Sequence, residues 1–249
     1  TASIDIGAVT YTAPSNDLDG NPRPNPAGTV PDMGAYESDK GVDPNYAGPV
    51  WYVDGPAGLP YGNGGPGAPF NTIQAGIDVS SSGDTVSVKA GTYFENITYQ
   101  AKNIVVMGED RETTIIDGNQ NGRVVGFIFG QDSTAVLSNF TLQNGNDSEG
   151  SAIYCNGSSP ILSNLLLRNN SGYGGVIRFY NNSRATLHNT LISGNNDHGI
   201  YCRIADPILD RVSIVNNTHN GVYVRDESNP IIVNSIIVDN SKSIVISEQ

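Results

Sequence analysis

AVLSNFTLQNG at 135–145, PILSNLLLRNN at 160–170, ATLHNTLISGN at 185–195, PILDRVSIVNN at 207–217 and PIIVNSIIVDN at 230–240 are five versions of one line. Their starts lie 25, 25, 22 and 23 residues apart. A second short apolar pattern follows each line: SAIYC, GVIRF, HGIYC, NGVYV and KSIVI. Self-similarity at this period marks a solenoid, in which each repeat buries its apolar face against its neighbours.

The apolar positions stack in columns. Leu137, Leu162, Leu187, Leu209 and Ile232 form one, and Leu142, Leu167, Ile192, Ile214 and Ile237 another. In the second pattern Ile153, Ile177, Ile200, Val222 and Ile244 align, as do Cys155, Phe179, Cys202, Val224 and Ile246. Apolar residues two apart, in runs too short for helices, are strands with one buried face. The class is therefore all-β, with three short strands per coil stacked at about 4.8 Å. Pro160, Pro207 and Pro230 stand at strand starts, where a missing N–H is tolerated.

Polar columns mark the corners. The fifth position of the lines reads Asn139, Asn164, Asn189, Arg211 and Asn234. Stacked amides can bond to one another there and accept the bend's backbone conformation. Arg211 interrupts that ladder, is expected to point to solvent, and should leave its bend less well held. Asn170, Asn195, Asn217 and Asn240 mark the next corner.

These lines resemble the right-handed parallel β-helix repeats of pectate-lyase-like and NosD-like proteins, over about half of the chain. That superfamily contains lyases, hydrolases, epimerases, adhesins and scaffolds, so the fold names no chemistry. Two further segments resemble secreted bacterial β-helix proteins. DLDGNPRP followed by DMGAYE looks like their closing segment, although here it precedes the coils. WYVD, a Gly-rich loop, a helix, GDTV and GTYFENI follow the order of their amino-terminal entry. The expected division is a closing segment or irregular extension over 1–48 and the β-helix over 49–249. Phe70, Ile73 and Ile77 have helical spacing, so a short capping helix at about 70–80, capped by Asn71 or Thr72, should cover the first strand edges.

Composition narrows the function. The net charge is −12 with only 15% charged residues, which disfavours nucleic acid and anionic membranes as partners. No apolar run reaches the roughly 18 residues of a membrane span. The resemblance implies a chain that lies outside the cell or on its surface. Cys155 and Cys202 stand two coils apart in one inward column. That is roughly 9.6 Å from the strand spacing, beyond the ~7 Å reach of a disulfide, so both should be buried free thiols.

Residues alternating with the inward columns of the second pattern face outward. They read Tyr154, Arg178, Tyr201 and Tyr223, then two positions on Asn156, Tyr180, Arg203 and Arg225, with His198 and His219 at the edge. Aromatic rings stack on sugars and Arg forks grip carboxylates. The resemblance places polysaccharides along this sheet. A lyase acting on uronates would need a base near the C5 proton and a cation on the carboxylate, and these residues include both types. Asp197 and His198 are adjacent, so on a strand they would point to opposite faces and make a poor dyad. Asp17, Asp19 and Asn21 have alternating oxygen-ligand spacing without the distal Glu of an EF-hand, which leaves open either an Asx-rich turn or a Ca2+ site. No other cofactor is implied.

The expected function is an extracellular structural, adhesive or glycan-binding module, with polysaccharide or other copies of itself as partner. The lines end in mid-pattern, and an open last coil would expose Val222, Val224, Ile244 and Ile246 to a neighbour's residues 1–48, giving head-to-tail filaments or a tandem array. The alternative is a lyase cleaving a uronate-containing glycan by β-elimination.

Overall fold

The computed structural model describes residues 3–6, 9–12, 15–16, 46–55, 58 and 62–247. Ser3–Ile6 and Val9–Thr12 form an antiparallel pair of their own. Most of 1–48, including Asp17, Asp19, Asn21 and the proposed closing segment, lies outside the described residues.

From Val50 onward the chain winds as a parallel β-solenoid. One long sheet stacks Val50–Val53, Thr85–Val88, Val105–Gly108, Val136–Gln143, Ile161–Arg168, Thr186–Ser193, Ile208–Val215 and Ile231–Val233. A second stacks Ile97–Thr98, Val125–Phe127, Ile153–Asn156, Ile177–Tyr180, Ile200–Arg203, Val222–Arg225 and Ile244–Ser247. The register matches the sequence columns: Leu137 pairs with Leu162, Leu187 and Leu209 in turn, and Ile153 with Ile177, Ile200 and Val222. Leu137, Leu162, Leu187 and Leu209 are fully buried, and each such side chain removed from water favours folding by about 1.5–3 kcal/mol.

Each line carries two of the coil's three strands in one run bent at its middle. Asn139, Asn164, Asn189, Arg211 and Asn234 all have φ between 48° and 65°. One left-handed residue turns the strand without breaking its pairing, and Asn tolerates that region better than most residues. The side chains here make the expected ladder: Asn164 Nδ2 donates to Asn139 Oδ1 at 2.8 Å, and Asn189 Nδ2 to Asn164 Oδ1 at 3.1 Å. This ladder lies on the outside, with Asn139 and Asn164 half-buried and Asn189 and Asn234 exposed. Arg211 points to solvent, as expected, but the bend is still held. Asp210 takes the missing amide's place, accepting from Asn234 Nδ2 at 3.0 Å and from Arg211 Nη2 at 3.0 Å.

The buried ladder is the next corner. Asn170 is fully buried, and Asn195 and Asn217 nearly so. Asn170 N–H donates to Asn195 Oδ1 (3.0 Å), Asn195 N–H to Asn217 Oδ1 (3.2 Å) and Asn217 N–H to Asn240 Oδ1 (3.0 Å). Each amide Nδ2 also donates to a backbone carbonyl one coil back, as Asn195 does to Leu167 O at 3.0 Å. These side chains satisfy backbone groups that the turn would otherwise bury unpaired.

The helix is shorter than its spacing implies. It spans Ile73–Val79, Thr72 is the cap whose Oγ1 accepts from Ala75 N–H, and Phe70 is extended and bridged to Val53. Glu95 supplies a second cap from 22 residues away, its two oxygens accepting from Ile73 and Gln74 N–H at 2.8 and 2.9 Å. Ile73, Gly76 and Ile77 face the first coils. A Cβ at Gly76 would stand 2.8 Å from Val86 Cγ1, so only glycine lets the helix lie this close. Cys155 and Cys202 are free, fully buried and in register with Phe179 between them. Val222 and Val224 are buried under the last described strand, contrary to the expectation that they would be exposed. Ile244 and Ile246 are the exposed column ends, at 48% and 72%.

Candidate functional site

The second sheet presents Tyr154, Arg178, Tyr201 and Tyr223 as laterally paired neighbours on its outer surface, with Asn156, Tyr180, Arg203 and Arg225 in the adjacent column. Parallel pairing in exact register brings these side chains together, one from each coil. They interlock. Arg123 Cζ lies 4.6 Å from the Tyr154 ring centre, and Arg178 Cζ lies 5.8, 5.4 and 5.1 Å from Tyr154, Tyr180 and Tyr201. Arg203 Cζ stands 5.7 Å from Tyr180. Such contacts strengthen as they lose water.

This packing divides the candidates. Tyr154 and Tyr201 are only 4% and 9% exposed, so their rings are committed to the wall rather than open to a sugar. The Arg178 side chain is almost buried, with Nη1 3.4 Å from Ser148 O and 3.9 Å from Glu149 Oε1. Its Nε is buried without a partner, as is that of Arg225. Tyr180, Tyr223, Arg203 and Arg225 remain half-exposed. Arg203 Nε binds Asp226 Oδ2 at 2.5 Å. Beside Arg225 lies a cavity of about 270 Å³ whose lining includes Asp226, Ser228, Asn229 and Ser247.

His198 and His219 do meet the face. Their ring centres are 5.2 Å apart, and His198 stacks on Tyr223 at 4.8 Å. Asn220 N–H donates to His198 Nδ1 at 3.0 Å, so the neutral ring carries its proton on Nε2. Burial, with a smaller contribution from His219, lowers the His198 pKa to about 4. It is therefore neutral at pH 7, presenting Nε2–H as a donor, and is only a weak base because its lone-pair nitrogen Nδ1 is already taken by Asn220 N–H. Asp197 and His198 sit in a turn rather than on a strand. Asp197 is buried, its Oδ2 accepting from Gly175 N–H (2.8 Å) and its Oδ1 from His198 N–H (2.6 Å), while burial raises its pKa. Its task is to hold the loop.

A pair that the sequence did not single out lies on the other sheet. His188 Nδ1 is 3.0 Å from Asp210 Oδ2, with Ser163 as the strand neighbour of His188. No described hydrogen bond joins Ser163 to the ring, so the three do not form a nucleophile relay. Among the described residues no group of three or more His, Cys, Asp or Glu is placed to hold a metal. No helix among them is long and apolar enough to cross a membrane.

A family described as "Right handed beta helix region" matches residues 103–249, more than half of the chain. No curated protein matches. Among solved structures, ORF18 of Geobacillus virus E2 shares 13% identity over 79% of this chain and 61% of that one, with a TM-score of 0.24. The chain thus spans less than two thirds of that protein, and so loose a likeness carries no argument. The family match agrees with the parallel coils and their in-register columns, and the chain belongs to the right-handed β-helix family.

Proposed function

We propose that this chain is an extracellular, non-catalytic carbohydrate-binding module, holding a glycan across the outer face at Tyr180, Arg203, Tyr223 and Arg225. The observation that carries the reading is the half-exposed run of rings and guanidinium groups, built in register on a rigid sheet. Tyr154, Arg178 and Tyr201 support that run from one side, and His198 Nε2–H adds a donor beside Tyr223. A face whose rings and guanidinium groups are packed on one another suits binding better than turnover. For β-elimination His198 is a poor base, because its lone-pair nitrogen Nδ1 already accepts from Asn220 N–H and its basicity is lowered by burial.

Affinity electrophoresis against a panel of neutral and acidic polysaccharides tests the proposal. The parent protein should be retarded by at least one of them. Tyr180→Ala with Tyr223→Ala should lose most of that retardation while keeping the parent's circular dichroism spectrum. Unchanged retardation would remove the face from consideration, and growth of unsaturated-product absorbance on a uronate would replace binding by lyase chemistry.

The proposal also includes self-association. Ile231, Val233, Ile236 and Val238 alternate with the inward residues of the last line, yet all four are apolar and 42–58% exposed. A strand apolar on both faces is the pattern of one covered on both sides. Light scattering across a concentration series should show growth beyond the monomer mass, and a constant monomer mass would remove this part.

A further inference from the structure

We infer that Asn121 is a site of spontaneous chemical modification, where the side-chain amide is lost through a cyclic imide shared with Gly122 and replaced by aspartate or β-linked isoaspartate. The reaction needs no partner but water and does not depend on what the outer face binds.

Asn-Gly pairs stand at 63–64, 121–122, 144–145, 156–157 and 220–221. In each, the glycine has no side chain to hinder attack of its backbone nitrogen on the preceding amide carbon. The pairs would therefore react alike in an unfolded chain, and it is the fold that separates them. Gly64 N–H donates to Ala68 O (3.0 Å), Gly145 to Asn170 Oδ1 (2.8 Å), Gly157 to Tyr180 O (3.1 Å) and Gly221 to Lys242 O (2.7 Å). Several of the asparagine side chains are held as well. Asn63 Oδ1 accepts from Gly65 N–H at 3.0 Å, Asn144 Nδ2 donates to Asp117 Oδ2 at 2.8 Å, and Asn156 Oδ1 accepts from Asn181 Nδ2 at 3.2 Å. Such bonds must break before the nitrogen and the amide carbon can meet.

Asn121 and Gly122 carry none of these restraints. Asn121 is exposed, and among the described residues its side chain has no hydrogen bond. Gly122 is bridged to Asn146 through its carbonyl, which accepts from Asn146 N–H at 2.9 Å, whereas no described hydrogen bond uses its own N–H. Its φ is 92°, and a Cβ built there would meet nothing within 4 Å, so base and water reach the peptide. The surrounding turn is pinned by other groups. Gly118 N–H donates to Gln143 O (2.9 Å), Gln120 N–H to Asn144 O (2.7 Å) and Asn121 N–H to Gly118 O (2.8 Å). A changed side chain at 121 therefore projects into solvent and leaves the coil standing.

The Gly122 nitrogen gives its proton to solvent base and bonds to Asn121 Cγ. The Cγ–Nδ2 bond breaks, and ammonia leaves with the proton returned to it. Water then opens the imide. Cleavage at Cγ gives aspartate, and cleavage at the main-chain carbonyl carbon gives isoaspartate, whose backbone is one methylene longer. Nothing is oxidised or reduced. Either product carries a carboxylate that is ionised at neutral pH, two residues from Arg123 in a chain of net charge −12.

The experiment incubates the folded protein in 18O-labelled water at mildly alkaline pH, beside a sample unfolded in urea, and follows each Asn-Gly pair by peptide mass spectrometry. In the folded protein Asn121 should take up 18O at least tenfold faster than Asn63, Asn144, Asn156 or Asn220, and fragmentation should show isoaspartate together with aspartate. In urea the rates should converge. Mildly acidic buffer should slow the reaction at 121, because the attacking nitrogen must first lose a proton. Asn121→Gln should abolish the product at that position and leave the other pairs unchanged. An Asn121 that keeps its amide in the folded protein while the unfolded sample loses it, or one that reacts no faster than the bonded pairs, overturns the inference.

Discussion

Asn195→Ala should be among the most damaging small substitutions in the chain, because Asn195 bridges three coils from a site only 2% exposed. Its Oδ1 accepts from the backbone N–H of Asn170 (3.0 Å) and from Asn170 Nδ2 (3.1 Å). Its Nδ2 donates to Leu167 O (3.0 Å) and Asn217 Oδ1 (2.8 Å). Asn170 Nδ2 and Asn217 Oδ1 keep other partners, and Leu167 lies in a strand paired on both sides, but the Asn170 N–H loses its acceptor away from solvent. One buried unsatisfied donor at about 1–3 kcal/mol, with about 0.5–1.5 kcal/mol for the lost bond to Leu167 O, gives an expected loss of about 1.5–4.5 kcal/mol. The control is Asn164→Gly, on the outer ladder. There φ is 53°, which glycine adopts freely, and water can replace the lost amide. It should cost no more than about 1 kcal/mol. Urea unfolding followed by far-ultraviolet circular dichroism measures both. An Asn195→Ala protein within 0.5 kcal/mol of the parent (about a tenth of typical domain stability), or one more stable than Asn164→Gly, would refute the assignment of the inner ladder as the supporting one.

Three further outcomes follow from the same packing. Arg178→Ala, which removes a guanidinium shared by three rings, should destabilise by about 1.5–6 kcal/mol at roughly 0.5–2 kcal/mol per ring contact; a neutral effect in urea would mean the rings pack without it. The His198 pKa is about 4 in the folded chain, against about 6.5 unfolded. The unfolded state therefore takes up the proton first as pH falls, and folding loses about 2 kcal/mol between pH 7.5 and 5. His198→Gln should flatten that part of the pH profile, and an unchanged profile would refute the assignment. Burial pushes both the Cys155 and Cys202 thiols up, so neither should react with a thiol reagent until the chain unfolds. Prompt labelling of either would contradict the register.

The coils were legible because their cause is local. Leu at the third position of a line and Leu or Ile at the eighth recur wherever an inward site recurs, and the register follows. The inner and outer ladders look alike in sequence, since both are columns of Asn. What separates them is the neighbouring left-handed residue. At the inner corner φ is positive one residue earlier, at Asn144, Asn169, Gly194, Asn216 and Asp239, and the following side chain turns inward. The substitution of Asp210 for a ladder amide was hidden because it acts from the residue beside Arg211. The helix start was displaced because Phe70 obeys the helical spacing while pairing with Val53 as a strand would. For the site, alternation correctly sent Tyr154 and Tyr201 outward, but it carries no information on what lies over an outward residue.

Loop length supplies that missing term. From the inner corner to the start of the second sheet the chain takes eight steps from Gly145 to Ile153 and seven from Asn170 to Ile177. It then takes five from Asn195 to Ile200 and from Asn217 to Val222, and four from Asn240 to Ile244. The two longest connections carry Ser148, Glu149 and Tyr173, and the first of them reaches Arg178 through Ser148 O and Glu149. They form a shoulder beside Tyr154 and Arg178. The shorter connections leave little chain to overhang Tyr223 and Arg225, which remain half-exposed on the same sheet. One column of outward residues thus becomes a buried support at one end and an accessible surface at the other, though its strand register does not change. A glycan approaching this sheet would meet the Tyr180, Arg203, Tyr223 and Arg225 end, where the rings behind it are already immobilised and little side-chain entropy remains to be lost on binding.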